Sequence, residues 1–316
     1  MTSESIGRVL RKGILEAILL ATCVLLSFAT PDFLTMENLS NILRSISEIG
    51  VIAFGMTMVI IAGEIDLSVG SSVAFAGCLT AWLVGKGVPV PAAIALALVC
   101  GAACGALIGL FRTRFGVPSF ITSLALLTAL RGAALKITGG FSLTPFPAWY
   151  SYLGSGYVRG IPFPGVLFAL TFLVVLFLMD HTVFGRAVYA VGGNAEAARL
   201  SGISVPRVRV LVLAFTGLLA AWSGVMLSAR ILSGNPTVAV GWELDVIAAV
   251  IVGGTSLSGG SGRVWGTLVG VVFIGVIING MRLLDVHEDG QLIVRGIIVA
   301  IAVLLSRLQE RRGPGA

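Results

Sequence analysis

The chain has 316 residues, 57% of them hydrophobic and 11% charged, with a formal charge of +6 and a mean hydropathy of +1.02. So few charges cannot solvate a soluble domain of this length, and the apolar runs are too long and continuous for the alternating strands of a membrane barrel. The basic surplus sits at segment ends rather than on one face, which reads as membrane topology and not as a nucleic-acid surface.

Lipid leaves helices as the remaining way to pair the backbone, so the expected fold is all-α: one polytopic bundle over residues 1–316. Ten spans are expected, near 14–29, 49–63, 69–85, 91–111, 118–137, 163–180, 210–229, 243–258, 264–282 and 291–306. Arg8, Arg11 and Lys12 precede the first, and no clear small-residue cleavage pattern follows it, so it reads as a retained helix. Segment 36–47 (MENLSNILRSIS) is amphipathic and too polar to span, which suits a short interfacial helix before the second span.

Most Lys and Arg then fall on one side, including Arg112, Arg114, Arg186, Arg199, Arg207, Arg209 and Arg263. This places segments 1–13, 181–209 and 307–316 in the cytoplasm and Arg44, Lys86, Arg159, Arg230 and Arg282 outside. The four cysteines (Cys23, Cys78, Cys100, Cys104) lie in apolar segments, and His181 and His287 are far apart. Neither a disulfide framework nor a metal site is expected.

Residues 61–71 (IAGEIDLSVGS) are echoed by 251–261 (IVGGTSLSGGS), with Ile61, Gly63, Leu67, Ser68, Gly70 and Ser71 recurring as Ile251, Gly253, Leu257, Ser258, Gly260 and Ser261. Each segment ends one span and begins the next on the same side, the helix–break–helix pattern of transporters built from repeats; shared helix-packing chemistry gives the same match. Glu64 and Asp66 lie in the first break, and an acid near membrane depth is a functional candidate for pathway or gating, together with Ser68. The alternative for Asp66 is a helix cap accepting N–H bonds from Ser68 or Val69, a role Ser256 can keep without charge.

Two glycine ladders follow: Gly101, Gly105 and Gly109, and Gly262, Gly266 and Gly270. Both read as close helix packing, the second with a subunit interface as an option. Residues of a type suited to binding a neutral polar solute along an apolar path are Asn279, Arg282, Trp242, Asn235 and Phe54, each with a packing or interfacial role as the alternative. Trp82, Trp149, Trp242 and Tyr157 fit an outer aromatic belt. Arg159, Arg230 and Arg282 are candidates for docking an external protein, or are stray loop charges.

The loop Ala190–Pro206 reads AVGGNAEAARLSGISVP. Gly192 and Gly193 are expected to break the chain, Asn194 to cap a short helix over Ala195–Leu200, Gly202 to end it, and Pro206 to restart the chain. A short helix lying in the cytoplasm with small faces suits a docking groove, while a plain positive-inside loop accounts equally for its flanking arginines.

Glu196, Ala197 and Ala198 followed by Gly202 resemble the EAA…G coupling loop of ATP-binding-cassette importer permeases, and the wider GGNAEAARLSGI resembles the ribose-type monosaccharide branch. EIDLSVGS at Glu64–Ser71 and GGTSLSGGSGRVWGTLVG at Gly253–Gly270 resemble two further hallmarks of that branch, in the expected order. The Ile-x-Leu-Pro that extends the general EAA pattern is missing here, and Glu64 stands where a glycine or small polar residue is commoner. The resemblance implies a non-enzymatic subunit of the bacterial inner membrane, paired with a second permease subunit. A cytoplasmic ATPase, which holds the ATP and magnesium, would grip Gly193, Asn194, Glu196, Ala197, Ala198, Arg199 and Gly202, and an extracytoplasmic binding protein would deliver a sugar. The chain has no G-x-x-x-x-G-K-[ST] phosphate loop of its own. An ion-coupled secondary transporter is the rival expectation; it explains Glu64 and Asp66 but leaves the EAA-like loop unexplained. A non-transporting scaffold makes poor sense of the two breaks.

Overall fold

The computed structural model describes residues 13–310, so most of the terminal segment 1–13 and part of 307–316 lie outside the described residues. Helices α1 (Ile14–Ala29), α2 (Met36–Ile61), α3 (Val69–Gly85), α4 (Val90–Arg114) and α5 (Ser119–Thr138) come first. After a connection containing the single turn α6 (Tyr152–Ser155) and a hairpin, β1 (Tyr157–Val158) to β2 (Ile161–Pro162), the chain continues as α7 (Phe163–His181), α8 (Val183–Gly193) and α9 (Ala195–Leu200). Helices α10 (Val205–Ile231), α11 (Trp242–Val252), α12 (Val264–Leu283) and α13 (Glu288–Glu310) complete it.

Six helices, α2, α4, α5, α7, α10 and α12, are long and apolar enough to cross a membrane, and α1 and α3 are shorter apolar helices. Helices α2 and α10 form the centre: 83% of the apolar window of α2 is buried, against 17% for α5. The outer helices present Leu96 and Val99 of α4 and Leu170, Leu173 and Phe177 of α7 outward, where lipid requires no protein partner.

Two expected segments change. Residues 36–47 are not a separate interfacial helix but the first turns of α2, started by Thr35, whose side chain accepts the Asn38 N–H. The polar positions Asn38, Asn41, Ser45 and Glu48 recur at three- and four-residue steps and therefore share one face. Its two ends look into the protein while Asn41 between them is exposed: Asn38 and Asn279 of α12 exchange amide hydrogen bonds of 3.1 and 2.7 Å. The stripe is in part an internal polar seam. The span expected at 243–258 also shrinks, because α11 stops at Val252. Eleven residues reach only about 16 Å, roughly half a hydrocarbon core.

Helix α10 packs most extensively on α4, along the first glycine ladder. A Cβ on Gly105 would stand 2.1 Å from the Leu213 carbonyl oxygen, and one on Gly101 would stand 2.5 Å from that of Gly217. The second ladder is likewise internal rather than an intersubunit surface, since a Cβ on Gly266 or Gly270 would stand 2.0 or 2.1 Å from the Gly253 or Ala249 carbonyl oxygen. The connection between α5 and α7 is pinned by buried Tyr150, whose hydroxyl lies 2.9 Å from Ser228 Oγ and 3.2 Å from the Val225 carbonyl oxygen.

Replacing Gly105 by Val pushes a side chain into the α10 backbone and is expected to destabilise the fold by about 1–3 kcal/mol or more. Gly132→Ala, at a helical glycine with open space around its Cβ position, is expected to be neutral or stabilising by up to about 1 kcal/mol. Thermal unfolding of the detergent-solubilised protein separates the two; equal melting temperatures would contradict this account of the packing.

Candidate functional site

Three interruptions of helix meet at one end of the bundle. The first follows α2. Ala62 caps the helix, Gly63 turns left-handed at φ 76°, and the Glu64 N–H returns to the Val59 carbonyl at 3.0 Å. The second follows α11 with the same geometry: Gly253 caps, Gly254 takes φ 87°, and the Thr255 N–H returns to Val250 at 3.2 Å. The left-handed glycines thus correspond one residue out of register with the sequence match.

Beyond the turn the match holds as read. Asp66 Oδ1 accepts the Ser68 N–H at 2.8 Å and its hydroxyl at 2.6 Å, while Ser256 Oγ accepts the Ser258 N–H at 3.2 Å. Residues 64–68 belong to neither helix nor strand, so their backbone N–H groups have no regular ladder to pair in. Those of Ile65 and Leu67 donate to Ser119 Oγ at 3.1 Å and Ser123 Oγ at 3.0 Å. Ser119 and Ser123 are one turn apart on α5, a rise of about 6 Å, so one face of that helix serves both N–H groups. Sequence reading missed this pairing; its signal is an i, i+4 pair of serines in an apolar helix.

The third interruption lies between α8 and α9. Gly192 and Gly193 do not break the chain as expected; they are the last residues of α8. Gly192 is a glycine because of contact, since a Cβ there would lie 1.6 Å from the Ile61 carbonyl oxygen and 2.6 Å from the Gly260 nitrogen, whereas the Cβ position of Gly193 is open. The same Ile61 carbonyl accepts the Gly260 N–H at 2.8 Å, and Tyr189 of α8 donates its hydroxyl to the Gly262 carbonyl at 3.1 Å. The ends of α2 and α8 and the second break therefore touch backbone to backbone.

Asn194 caps α9, its Oδ1 accepting the Glu196 and Ala197 N–H groups at 3.1 and 3.0 Å. Ala198 is buried against the bundle, while Glu196, Ala197, Arg199 and Leu200 are exposed. Gly202 ends the turn at φ 83°, with its N–H on the Arg199 carbonyl at 3.0 Å, and Pro206 sits in the first turn of α10. Hydrogen bonding to Arg199, reinforced by its charge, holds the Glu196 carboxyl below the usual carboxylate value. The surface offered is short, carries both charges and is anchored by a rigid cap.

Glu64 is buried and binds two arginines. Arg112 Nε, from the end of α4, lies 2.9 Å from Oε1, and Arg209 Nε, from the start of α10, lies 2.8 Å from the same atom as an ion contact without hydrogen-bond geometry. One carboxylate thus ties three helix ends beside the breaks. Both arginines had read only as topology signals.

The remaining candidates separate. Phe54 is fully buried and stacks on Phe168 at 5.2 Å, which is its packing alternative. Asn279, Arg282 and Trp242 gather on one cavity, and Asn235 instead accepts from Thr237 within its own turn. Arg159 is exposed at the hairpin tip with φ 49°. Arg230 is not a free docking charge, since its Nε lies 3.3 Å from buried Glu48. Trp82, Trp149 and Tyr157 are exposed, as a belt requires, whereas Trp242 turns inward. No group of metal-ligating side chains occurs among the described residues, and the four cysteines are free.

A membrane helix bundle with two broken elements joined to a short exposed helix defines a transport permease, and residues 38–303 match the family described as branched-chain amino acid transport system, permease component. The chain belongs to that family, as an ATP-binding-cassette importer permease that crosses the bacterial inner membrane several times. It is 44% identical to the ribose import permease protein RbsC of Bacillus subtilis (90% of this chain, 89% of the relative) and 40% identical to that of Escherichia coli K12 (92% of each). It is 38% identical to the L-arabinose permease protein AraH of Azospirillum brasilense, over 96% of this chain and 89% of the relative. No solved structure matches.

Glu64→Gln leaves two arginines facing a neutral amide and is expected to lower stability by about 1–3 kcal/mol, below the range for a fully buried pair because both arginines are partly exposed. In a double-mutant cycle with Arg209→Gln the two losses should fall short of additive; full additivity would show that the pair does not interact. Asp66→Asn keeps the acceptor and is expected to cost less than Asp66→Ala, which forfeits the two bonds from Ser68, about 1 kcal/mol or more; abolished transport in a stably folded Asp66→Asn protein would assign a function to the charge itself.

Proposed function

We propose that this chain imports a neutral monosaccharide of the ribose or arabinose type, delivered by an extracytoplasmic binding protein and driven by ATP hydrolysis on a separate cytoplasmic ATPase. The single observation that carries this reading is the exposed α9, rigidly capped and joined through Gly192 and Gly193 to both helix breaks, in a chain whose relatives are ribose and L-arabinose permeases. The ATPase holds ATP and magnesium and grips α9 at Glu196 and Arg199. When it moves, the backbone contacts at Ile61 and Gly260 carry the displacement into α2 and the second break as a rigid-body shift.

In this proposal the chain crosses the membrane ten times, with both termini, segment 181–209 and α9 in the cytoplasm. Helices α1, α3, α11 and α13 add four crossings to the six long apolar helices; α3 and α11 lie beside the breaks, an arrangement tolerated where irregular backbone is enclosed by protein. A second copy or a close relative completes the pathway, and Arg159 on the exposed hairpin faces the binding protein. This chain contributes no catalysis. The family description mentions branched-chain amino acids, but the cited relatives at 38–44% identity favour a sugar.

Glu196→Lys reverses a charge on the exposed face of α9 and breaks its pair with Arg199. It is expected to weaken ATPase retention by about tenfold, near 1.4 kcal/mol, in affinity purification from native membranes, with normal amounts of permease in the membrane. Undiminished copurification would count against α9 as the docking site. Uptake that survives ATP depletion and collapses with the ion gradient would replace the importer by an ion-coupled carrier.

A further inference from the structure

A cavity of about 130 Å³ lies between α2, α11, α12 and α13, away from the helix breaks. Glu48, on its wall, is roughly 20 Å along α2 from Ile61 at about 1.5 Å per residue. Its lining is unlike that of the apolar core. Glu48 lies 3.3 Å from Arg230 and Asp245 lies 3.0 Å from Arg295, and Asn41, Ser45, Trp242, Asn279 and Arg282 complete the polar part.

Glu48 and Asp245 are almost completely buried, at 1% and 3% exposure. Such acids in a membrane bundle are costly and mark functional positions. Two atoms of this wall are buried without a hydrogen bond: Glu48 Oε1, an acceptor held only by the ion contact with Arg230, and Arg295 Nε, a donor. Buried polar atoms ordinarily find partners, because leaving one unmade costs about 1–3 kcal/mol.

Resting on the reading of this chain as a sugar permease, we propose that this cavity is a transient binding subsite for one neutral monosaccharide, so that the permease itself takes part in selecting its substrate. The volume is that of a single small ring; an engineered protein cavity of about 150 Å³ accommodates benzene. Adjacent carboxylate and guanidinium groups supply acceptors and donors side by side, which vicinal hydroxyls satisfy together. Trp242 offers an apolar face to the C–H side of such a ring. Each acid is paired with an arginine, and Arg282 on the same wall adds further donors for hydroxyl oxygens, so no unpaired acid is left on the wall to favour a cation. Binding must stay weak, since a site on a pathway has to release what it takes up.

The test uses the full-length permease in nanodiscs without binding protein, titrated with D-ribose and L-arabinose while tryptophan fluorescence is followed. A saturable change is expected that is lost in Trp242→Phe and in Ser45→Phe, which plugs the cavity from its wall, and kept in Trp82→Phe, remote on α3. Both cavity variants are first checked for a wild-type melting temperature, and equilibrium binding of radiolabelled sugar to Ser45→Phe gives a readout independent of Trp242. In parallel, uptake is measured with the same purified permease reconstituted into sealed liposomes with ATPase, binding protein and ATP. Normal ATP-driven uptake with no saturable change for either sugar would overturn the subsite and leave the importer intact. A saturable change that survives in folded Ser45→Phe would place sugar elsewhere and also overturn it. Failure of both uptake and binding would remove the importer reading along with the subsite.

Discussion

The structure turns on one carbonyl. Ile61 ends α2 at the first helix break, and its oxygen accepts the Gly260 N–H while Gly192 of α8 packs directly on it. Three segments far apart in the chain can share that oxygen only because glycine stands at each approach; a single Cβ at 192 would overlap it. Backbone contact of this kind is stiff. It has no rotamer to yield, so the short exposed helix and the two breaks keep a fixed relation to one another. In the proposed importer, coupling of a cytoplasmic ATPase to the membrane pathway would draw on that stiffness.

Buried charge is divided between the two ends of the central helices. At the break end, Glu64 gathers Arg112 and Arg209 and closes the tips of α2, α4 and α10 over the glycine contacts. At the other end, Glu48 and Asp245 pair with Arg230 and Arg295 around a cavity instead of closing it. Helices α2 and α10 contribute to both groups, α2 with a carboxylate and α10 with an arginine at the far end, and Glu64 follows directly on α2. Between the groups the packing is apolar and close, governed by glycines of α4 against α10. Charge therefore fixes the ends of a rigid pair of helices whose middle is held by shape.

Much of the fold was legible in the sequence because lipid imposes a length and a polarity on every spanning helix. The ends of α1, α3, α5, α7 and α12 fall within a residue or so of the apolar runs. The cap at Asn194, the stop at Gly202 and the Asp66 turn could also be read, since each is set by residues within a few positions of one another. The misreadings share a cause. The stripe Asn38–Asn41–Ser45–Glu48 has the period of a surface helix whether it faces headgroups or Asn279 across a polar seam. Gly192 reads as a break whether it turns or merely admits a neighbour. Arg230 reads as a loop charge until Glu48 is found beside it.

By itself the sequence determined that this is a helical membrane protein, where its apolar segments lie, and that a short capped helix follows Asn194, because these depend on composition and on neighbours within one or two turns. Only the tertiary structure decided that α11 is a half-length element, that the two breaks and α8 meet at Ile61, and that Glu64 holds two arginines while Glu48 and Asp245 frame a cavity. Those features arise between residues separated by tens to hundreds of positions. A polar or glycine residue carries no local mark of which partner it will meet.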